Sequence, residues 1–361
     1  MNKLSRNSAF SRREFFGNVF GFSAALRAAP ALAGSASAQA AGTEEGMQLY
    51  PNVFQIRSLF GDRHLFQYLF VGDRIALLDT GIAETPRKAI FPYMERLGIS
   101  AARLTWAVTT HADGDHQGGN FAIRQASAKT LLACGKADQA MVEDPDVLWP
   151  LRYNFLQKDY GVGIDPKPSP DAGKPCKMDL CFTGEEPLRL RSDWEIEVLH
   201  LPGHSHGHLG FFDRQHRAAF IGDAIHGRGC PKATGGMALP VTYYYVDVYL
   251  STLTLVENLP IDVLYTGHWP VMRGGQIRDF IAESRQTVAT IDRVILSALT
   301  GHPEGLTLHD LILAVGEAFG SWPRNTWIFL MFAIKGHMDH LEQQGKVRLI
   351  RQSRPFGWSR V

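Results

Sequence analysis

Cysteine is scarce in this chain of 361 residues. Its four cysteines, Cys134, Cys176, Cys181 and Cys230, form no CxxC pair, which excludes a cysteine zinc knuckle. Cys176 and Cys181 are near enough in sequence to bridge in an oxidising compartment, with buried free thiols as the equal alternative. Long apolar runs are also lacking, so no segment matches the ~20 apolar residues that span a bilayer. Neither sign of charge dominates, and the formal net charge is +1. That average joins two unlike parts. Residues 1–40 carry Lys3, Arg6, Arg12, Arg13 and Arg27 against Glu14 alone, a net of +4, which leaves −3 for the remainder. Such a slightly acidic body lacks the basic footprint of a nucleic-acid binder. No short-motif repeat is present. Hydrophobic residues at 45% and charged residues at 20% exclude wholesale disorder.

What is abundant is turn-forming and metal-binding chemistry. There are 35 Gly, 19 Pro and 14 His, every His lying beyond residue 40. The length suits two or three folded units at roughly 100–200 residues each.

Residues 1–40 read as an export address. Ser11-Arg12-Arg13-Glu14-Phe15-Phe16 is a twin-arginine sequence. A modestly apolar stretch, Val19 to Leu32, follows, and Ala36-Ser37-Ala38 or Ala38-Gln39-Ala40 offers a small-residue cleavage site. The mature chain is therefore expected in the periplasm, without a membrane span.

Beyond it, His64 to Val71, Gly72-Asp73-Arg74 and Ile75 to Asp79 read as strand, turn and strand. Ile90 to Leu97 suits a helix closed by Gly98. Leu104 to Thr109 is a strand running into a His/Asp cluster, and Leu131 to Ala133 is a further strand. Residues 135–185 break the rhythm and read as an insertion or lid. Residues 210–213 and 218–221 form a hairpin, Val246 to Leu259 a helix, Val263 to Thr266 a strand, and Ile277 to Leu299 a helix.

Chemistry concentrates in Thr110-His111-Ala112-Asp113-Gly114-Asp115-His116-Gln117-Gly118-Gly119. Four imidazole and carboxylate groups within six residues, on a loop that can fold tightly at glycine, suit zinc, iron or manganese. His204 in Pro202-Gly203-His204, Asp223 in Gly222-Asp223 and His268 in Gly267-His268 each sit where an apolar strand stops and a glycine turns the chain. Side chains at several strand ends converge on one edge of a sheet.

With these residues the chain resembles the metallo-β-lactamase-fold hydrolases, from about residue 47 to 285. The family's early strand Asp, HxHxDH loop, Pro-Gly-His, Gly-Asp and final Gly-His correspond here to Asp79, His111 to His116, His204, Asp223 and His268. The resemblance implies an α/β fold, the αββα sandwich, with metals at one edge. It implies two divalent ions, zinc first and iron or manganese as competitors. One site would comprise His111, Asp113 and His204, the other Asp115, His116 and His268, with Asp223 bridging. Asp113 departs from the family's second His. Its extra negative charge should make bound water less acidic and the first site less certain in metal and occupancy. A metal-activated water would attack a carbonyl or phosphoryl centre, with Asp115 orienting the nucleophile and moving its proton. Asp79 is read as support behind the ligand loop or as a structural strand-end residue.

The other groups have plainer readings. His206 and His208 are read as lying behind the ligands or filling the turn beside His204, and His200 as a core residue on a strand. His226 and Tyr243 are candidates for the pocket lining, Tyr243 as a donor to a developing oxyanion or simply as packing. Trp149, Tyr153 and Phe155 are an apolar wall or core. Residues 286–361 read as two helices and a strand pair, with Thr307 capping the first, similar to the small winged-helix appendage of some family members. Packing or a homodimer contact is favoured for it over DNA. The organisation expected is thus an export peptide at 1–40, a catalytic domain at 41–285 and the extension at 286–361. The leading function is hydrolysis of an ester, lactone or thioester of small-molecule size. A β-lactamase, a phosphodiesterase and a non-enzymatic metal-dependent sensor are the alternatives.

Overall fold

In Leu69-Phe70 and Leu77-Leu78, successive side chains point to opposite faces, and both faces are apolar. That pattern requires a sheet covered on both sides. A computed structural model describes residues 46–164, 169–352 and 354–361; the export segment expected at residues 1–40 lies outside them. The first sheet takes the strands in chain order: β1 (Gly46–Tyr50), β2 (Val53–Phe60), β3 (Arg63–Val71), β4 (Ile75–Leu78), β5 (Leu104–Thr109), β6 (Leu131–Gly135) and β7 (Leu180–Phe182). It is antiparallel from β1 to β4 and parallel from β4 to β7. The second sheet uses β8 (Pro187–Arg191), β9 (Trp194–His200), β10 (Leu209–Asp213) and β11 (Ala218–Phe220). After a small hairpin of β12 (Cys230–Pro231) and β13 (Met237–Leu239), it gains β14 (Val263–Tyr265) and β15 (Met272–Arg273). Only β11 and β14 run parallel in it.

Phe70, Trp106 and Val108 of the first sheet pack with Val198, Phe211, Phe220 and Tyr265 of the second in one apolar layer. On the outer face of the first sheet, Leu69, Leu77, Ala107 and Leu132 pack with Met94 of α1 (Phe91–Arg96) and with Ile123. The result is the expected sandwich of two mixed sheets flanked by helices. Its ligand loop passes through α2 (Gly114–Gln117) into α3 (Asn120–Ala126), and α4 (Val246–Asn258) and α5 (Gly275–Thr300) follow the second sheet.

Two sequence readings change, and the alternatives left open for the cysteines close on one. The segment 135–185 is built of short helical turns, and its last part supplies β7, an edge strand of the first sheet. Cys176 and Cys181 do not bridge: all four cysteines are free thiols, and Cys181 stands opposite Cys134 in the β6/β7 ladder. His200 is exposed rather than in the core, its Nε2 2.7 Å from the His206 carbonyl.

The C-terminal region contributes α6 (Leu308–Phe319), α7 (Leu330–Gln343) and a three-stranded sheet of β16 (Leu306–Thr307), β17 (Val347–Ile350) and β18 (Gly357–Arg360). Thr307 and Asp310 close the expected cap of α6 reciprocally. The described residues from 46 onward form one compact unit, and the boundary expected at 285/286 falls inside the continuous helix α5. Among the described residues no helix is long and apolar enough to cross a membrane.

Candidate metal centre

Four of the expected ligands, and Asp79 behind them, leave the ends of strands. Asp79 follows β4, His111 follows β5, His204 lies between β9 and β10, Asp223 follows β11 and His268 follows β14. Among the described residues, His111, Asp113 and His204 form a group whose ligand atoms lie within 4.8 Å of one another, and so do Asp115, His116 and His268. Asp223 joins His111 and His116 in a third such group, and His204 and His226 in a fourth. Asp223 therefore neighbours members of both of the first two groups.

The imidazoles are aimed by partners behind them. Asp79 Oδ2 lies 2.8 Å from His116 Nδ1 and accepts the Thr110 hydroxyl at 3.0 Å. The Thr110 oxygen in turn lies 2.9 Å from His111 Nδ1. One carboxylate therefore sets both tautomers and turns both Nε2 atoms into the cluster. Asp79 Oδ1 accepts the Thr110 backbone N–H at 2.7 Å, locking the loop. His268 donates Nδ1–H to the His64 carbonyl at 2.7 Å, leaving Nε2 at 3.2 Å from Asp223 Oδ2 and 3.6 Å from Asp115 Oδ2. Asp138 accepts the Ser205 hydroxyl and the Gly207 N–H, fixing the turn that carries His204. At position 267 a Cβ would stand 2.4 Å from Asp223 Oδ1, so only glycine lets the strand end come this close.

Two atoms show what the cluster lacks. His111 Nε2 and Asp223 Oδ1 are buried without a hydrogen-bond partner among the described residues, and both belong to the groups above. Buried polar atoms are ordinarily satisfied, so an orphaned imidazole nitrogen and carboxylate oxygen on one cluster fit a bound cation. Charge points the same way. Burial works to lower the pKa of His116, but Asp79, Asp223 and Asp115 carry it up to about 10, so the surrounding carboxylates favour positive charge at this point.

The remaining sequence candidates divide. His226 stands in the cluster wall, its ring centroid 4.9 Å from that of His204 and its Nε2 3.3 Å from the Thr242 hydroxyl. His208 backs the site, its ring 4.8 Å from that of His111 and its Nε2 accepting the Asp223 N–H at 3.1 Å. Tyr243 faces away: it is fully buried, and its hydroxyl lies 2.8 Å from His337 Nε2. Phe155 packs against Tyr244, whereas the Tyr153 hydroxyl donates to Asp113 at 2.8 Å.

Two arginines escaped the sequence reading. Arg152 forms a fork on Asp113 at 2.8 and 3.1 Å. Arg63, at the start of β3, places Nη1 3.6 Å from Asp115 Oδ2. For Arg152 a signal existed: a second carboxylate in the loop needs a countercharge, and Arg152 is the one basic residue of Trp149-Pro150-Leu151-Arg152-Tyr153-Asn154-Phe155. Burial works to raise the Asp113 carboxyl, but the Arg152 charge and the neighbouring His111 and His204 imidazoles hold it well below the usual carboxylate range. Burial and the same guanidinium push His204 down to about 4.

A profile of the metallo-beta-lactamase superfamily matches residues 64–268, more than half of the chain. The hydroxyacylglutathione hydrolase of Pelagibacter ubique is 22% identical over 204 residues, covering 56% of this chain and 66% of that protein. The acyl-coenzyme A thioesterase of Gallus gallus is 24% identical over 236 residues, covering 60% and 77%. The match thus spans just under two thirds of the Pelagibacter protein. Among solved structures, a metallo-beta-lactamase family protein of Thermus thermophilus superposes with a TM-score of 0.68 at 20% identity, over 87% of this chain and all of that one. A beta-lactamase domain protein of Burkholderia ambifaria gives 0.65 at 15% identity, over 90% and 98%. Both likenesses are of fold. With strand-end ligands, loop and profile in agreement, the chain belongs to the metallo-beta-lactamase superfamily.

Proposed function

We propose that the protein is an exported, zinc-dependent hydrolase that cleaves a thioester or a related carboxylic ester of small-molecule size. The observation that carries this reading is the buried His/Asp cluster with its orphaned His111 Nε2 and Asp223 Oδ1. Asp115, His116, His268 and Asp223 would hold an ion, with His111 and His204 beside them. A divalent ion there supplies Lewis acidity and makes water a nucleophile near neutral pH.

The chain's own groups do the rest. Asp115 is the one member of the second group that is not fully buried, so it would meet both an ion and an incoming substrate. Burial works to raise its pKa, but His116, Arg63 and His268 lower it, keeping the carboxylate ionised. It can accept a proton and pass it to the leaving thiolate as the C–S bond breaks. Arg63 offers a donor to negative charge at the same rim. Relatives named for acylglutathione and acyl-coenzyme A hydrolysis support the thioester. The twin-arginine sequence at residues 11–16 supports export, and the winged-helix-like order of the extension is assigned a packing role.

The test is a panel containing an acylglutathione, an acyl-coenzyme A, a lactone, a phosphodiester and a chromogenic cephalosporin. Thioester turnover is expected, abolished by a chelator and restored by zinc. Asp115→Asn should lower kcat by about 10²–10⁴-fold. Turnover of the cephalosporin or phosphodiester alone would replace this reading. For export, changing Arg12 and Arg13 to Lys should strand a periplasmic reporter fused to residues 1–40 in the cytoplasm; unchanged export would remove the twin-arginine assignment.

A further inference from the structure

Asp113 stands where the resemblance led us to expect a histidine ligand, and its surroundings are built for something other than free coordination. A carboxylate has about four acceptor positions, and here each oxygen meets two neighbours. Oδ1 accepts Arg152 Nε at 2.8 Å and the Tyr153 hydroxyl at 2.8 Å. Oδ2 accepts Arg152 Nη2 at 3.1 Å and lies 2.9 Å from His204 Nε2. The same Nη2 reaches His204 Nε2 at 3.0 Å, while Nη1 donates to the His204 carbonyl at 2.8 Å. A guanidinium has donors only, so it approaches Nε2 as a donor, toward the lone pair that an ion held with His111 and Asp113 would need.

Arg152 is itself a fixture. It is buried, and its guanidinium carbon lies 4.9 Å over the Phe332 ring of α7. Tyr153 is held between the Trp149 ring at 4.8 Å and the Phe332 ring at 6.1 Å. The second group differs: Arg63 touches Asp115 only at 3.6 Å and leaves Asp223 Oδ1 unpartnered.

We propose that Arg152 acts as the resident cation of the first group. It balances Asp113, takes up the free nitrogen of His204, and weakens that group's hold on a divalent ion. The protein then binds one ion tightly, at Asp115, His116, His268 and Asp223, and a second ion only weakly. This rests on the metal-dependent reading above but not on any substrate.

The test is zinc binding by the full mature chain, followed by calorimetric titration of the metal-free protein and by elemental analysis after dialysis. Wild type should retain one zinc per chain, with the second binding at least 10-fold more weakly. Arg152→Met should tighten the weaker site about 10–100-fold, the usual reach of groups behind a metal ligand. Arg152→Lys, which keeps the charge and loses the fork, should fall between. His268→Ala should lose the tight ion in wild type and leave the weak one. Two ions of equal affinity in wild type would overturn the proposal even if Arg152→Met failed to fold, while leaving the hydrolase reading intact. A weak site unchanged within twofold in a folded Arg152→Met would overturn it too. No zinc bound at all would overturn both.

Discussion

Asp79 holds its backbone at φ 59° while its oxygens gather the Thr110 N–H, the Thr110 hydroxyl and the His116 ring. A left-handed backbone is uncommon outside glycine, though aspartate tolerates it better than most. Here it turns the carboxylate toward two ligands at once. Asp79→Ala should therefore weaken zinc binding about 10–100-fold in a chelator competition. Unchanged affinity would reduce Asp79 to a strand-end residue. The ligands themselves were legible because His204, Asp223 and His268 each follow a glycine at the end of an apolar run, and the other four crowd into residues 111–116 after a strand. Arg152 was not, because it meets Asp113 across 39 positions and lies in a stretch without period. Asp138 was hidden for the same reason: nothing local marks a carboxylate whose partners, Ser205 and Gly207, lie on another strand's turn.

Helix α7 carries more of the site than its place near the C-terminus suggests. Phe332 lies under Arg152, and His337 links the Tyr243 hydroxyl to Asp292 of α5 through contacts of 2.8 and 2.7 Å. Between them Gly336 meets the loop before α4 so closely that a Cβ would stand 1.7 Å from the Tyr244 carbonyl oxygen. Gly336→Ala should cost about 1–3 kcal/mol in denaturant unfolding, the usual range for overpacking. A neutral result would mean that the loop yields freely. Other elements were readable: β3, β4 and β5 declare themselves by short apolar runs bounded by turn residues, and α5 by a 3.6-residue stripe. The segment 135–185 was not, since its helical turns are four or five residues long and complete little more than one period each. The strand β7 at its end is only three residues long and gives no alternation to detect.

At the scale of the whole chain, α5 joins what the sequence separated. Its buried residues run from Ile277 and Phe280 to Ile291, Ile295 and Leu299, crossing the expected boundary without a break. Ending the chain at Thr300 should therefore remove the support of Arg152 and Tyr243 together and yield aggregated or loosely folded protein by sedimentation and circular dichroism. A monomeric, zinc-binding product would show the extension to be separable. The sandwich was legible because ligands at several strand ends imply one shared edge; the union of its two parts was not, because it depends on which faces of α5 and α7 meet. The two arginines at the centre belong to very different mechanical settings. Arg152 is enclosed, whereas Arg63 stands beside the exposed β2/β3 tip at Gly61 and Asp62. Amide hydrogens at that tip should exchange with solvent quickly and those at Thr109 to His111 slowly. A bound anion gripped by Arg63 would then announce itself as slowed exchange at the tip, with the strand ends beneath it unchanged.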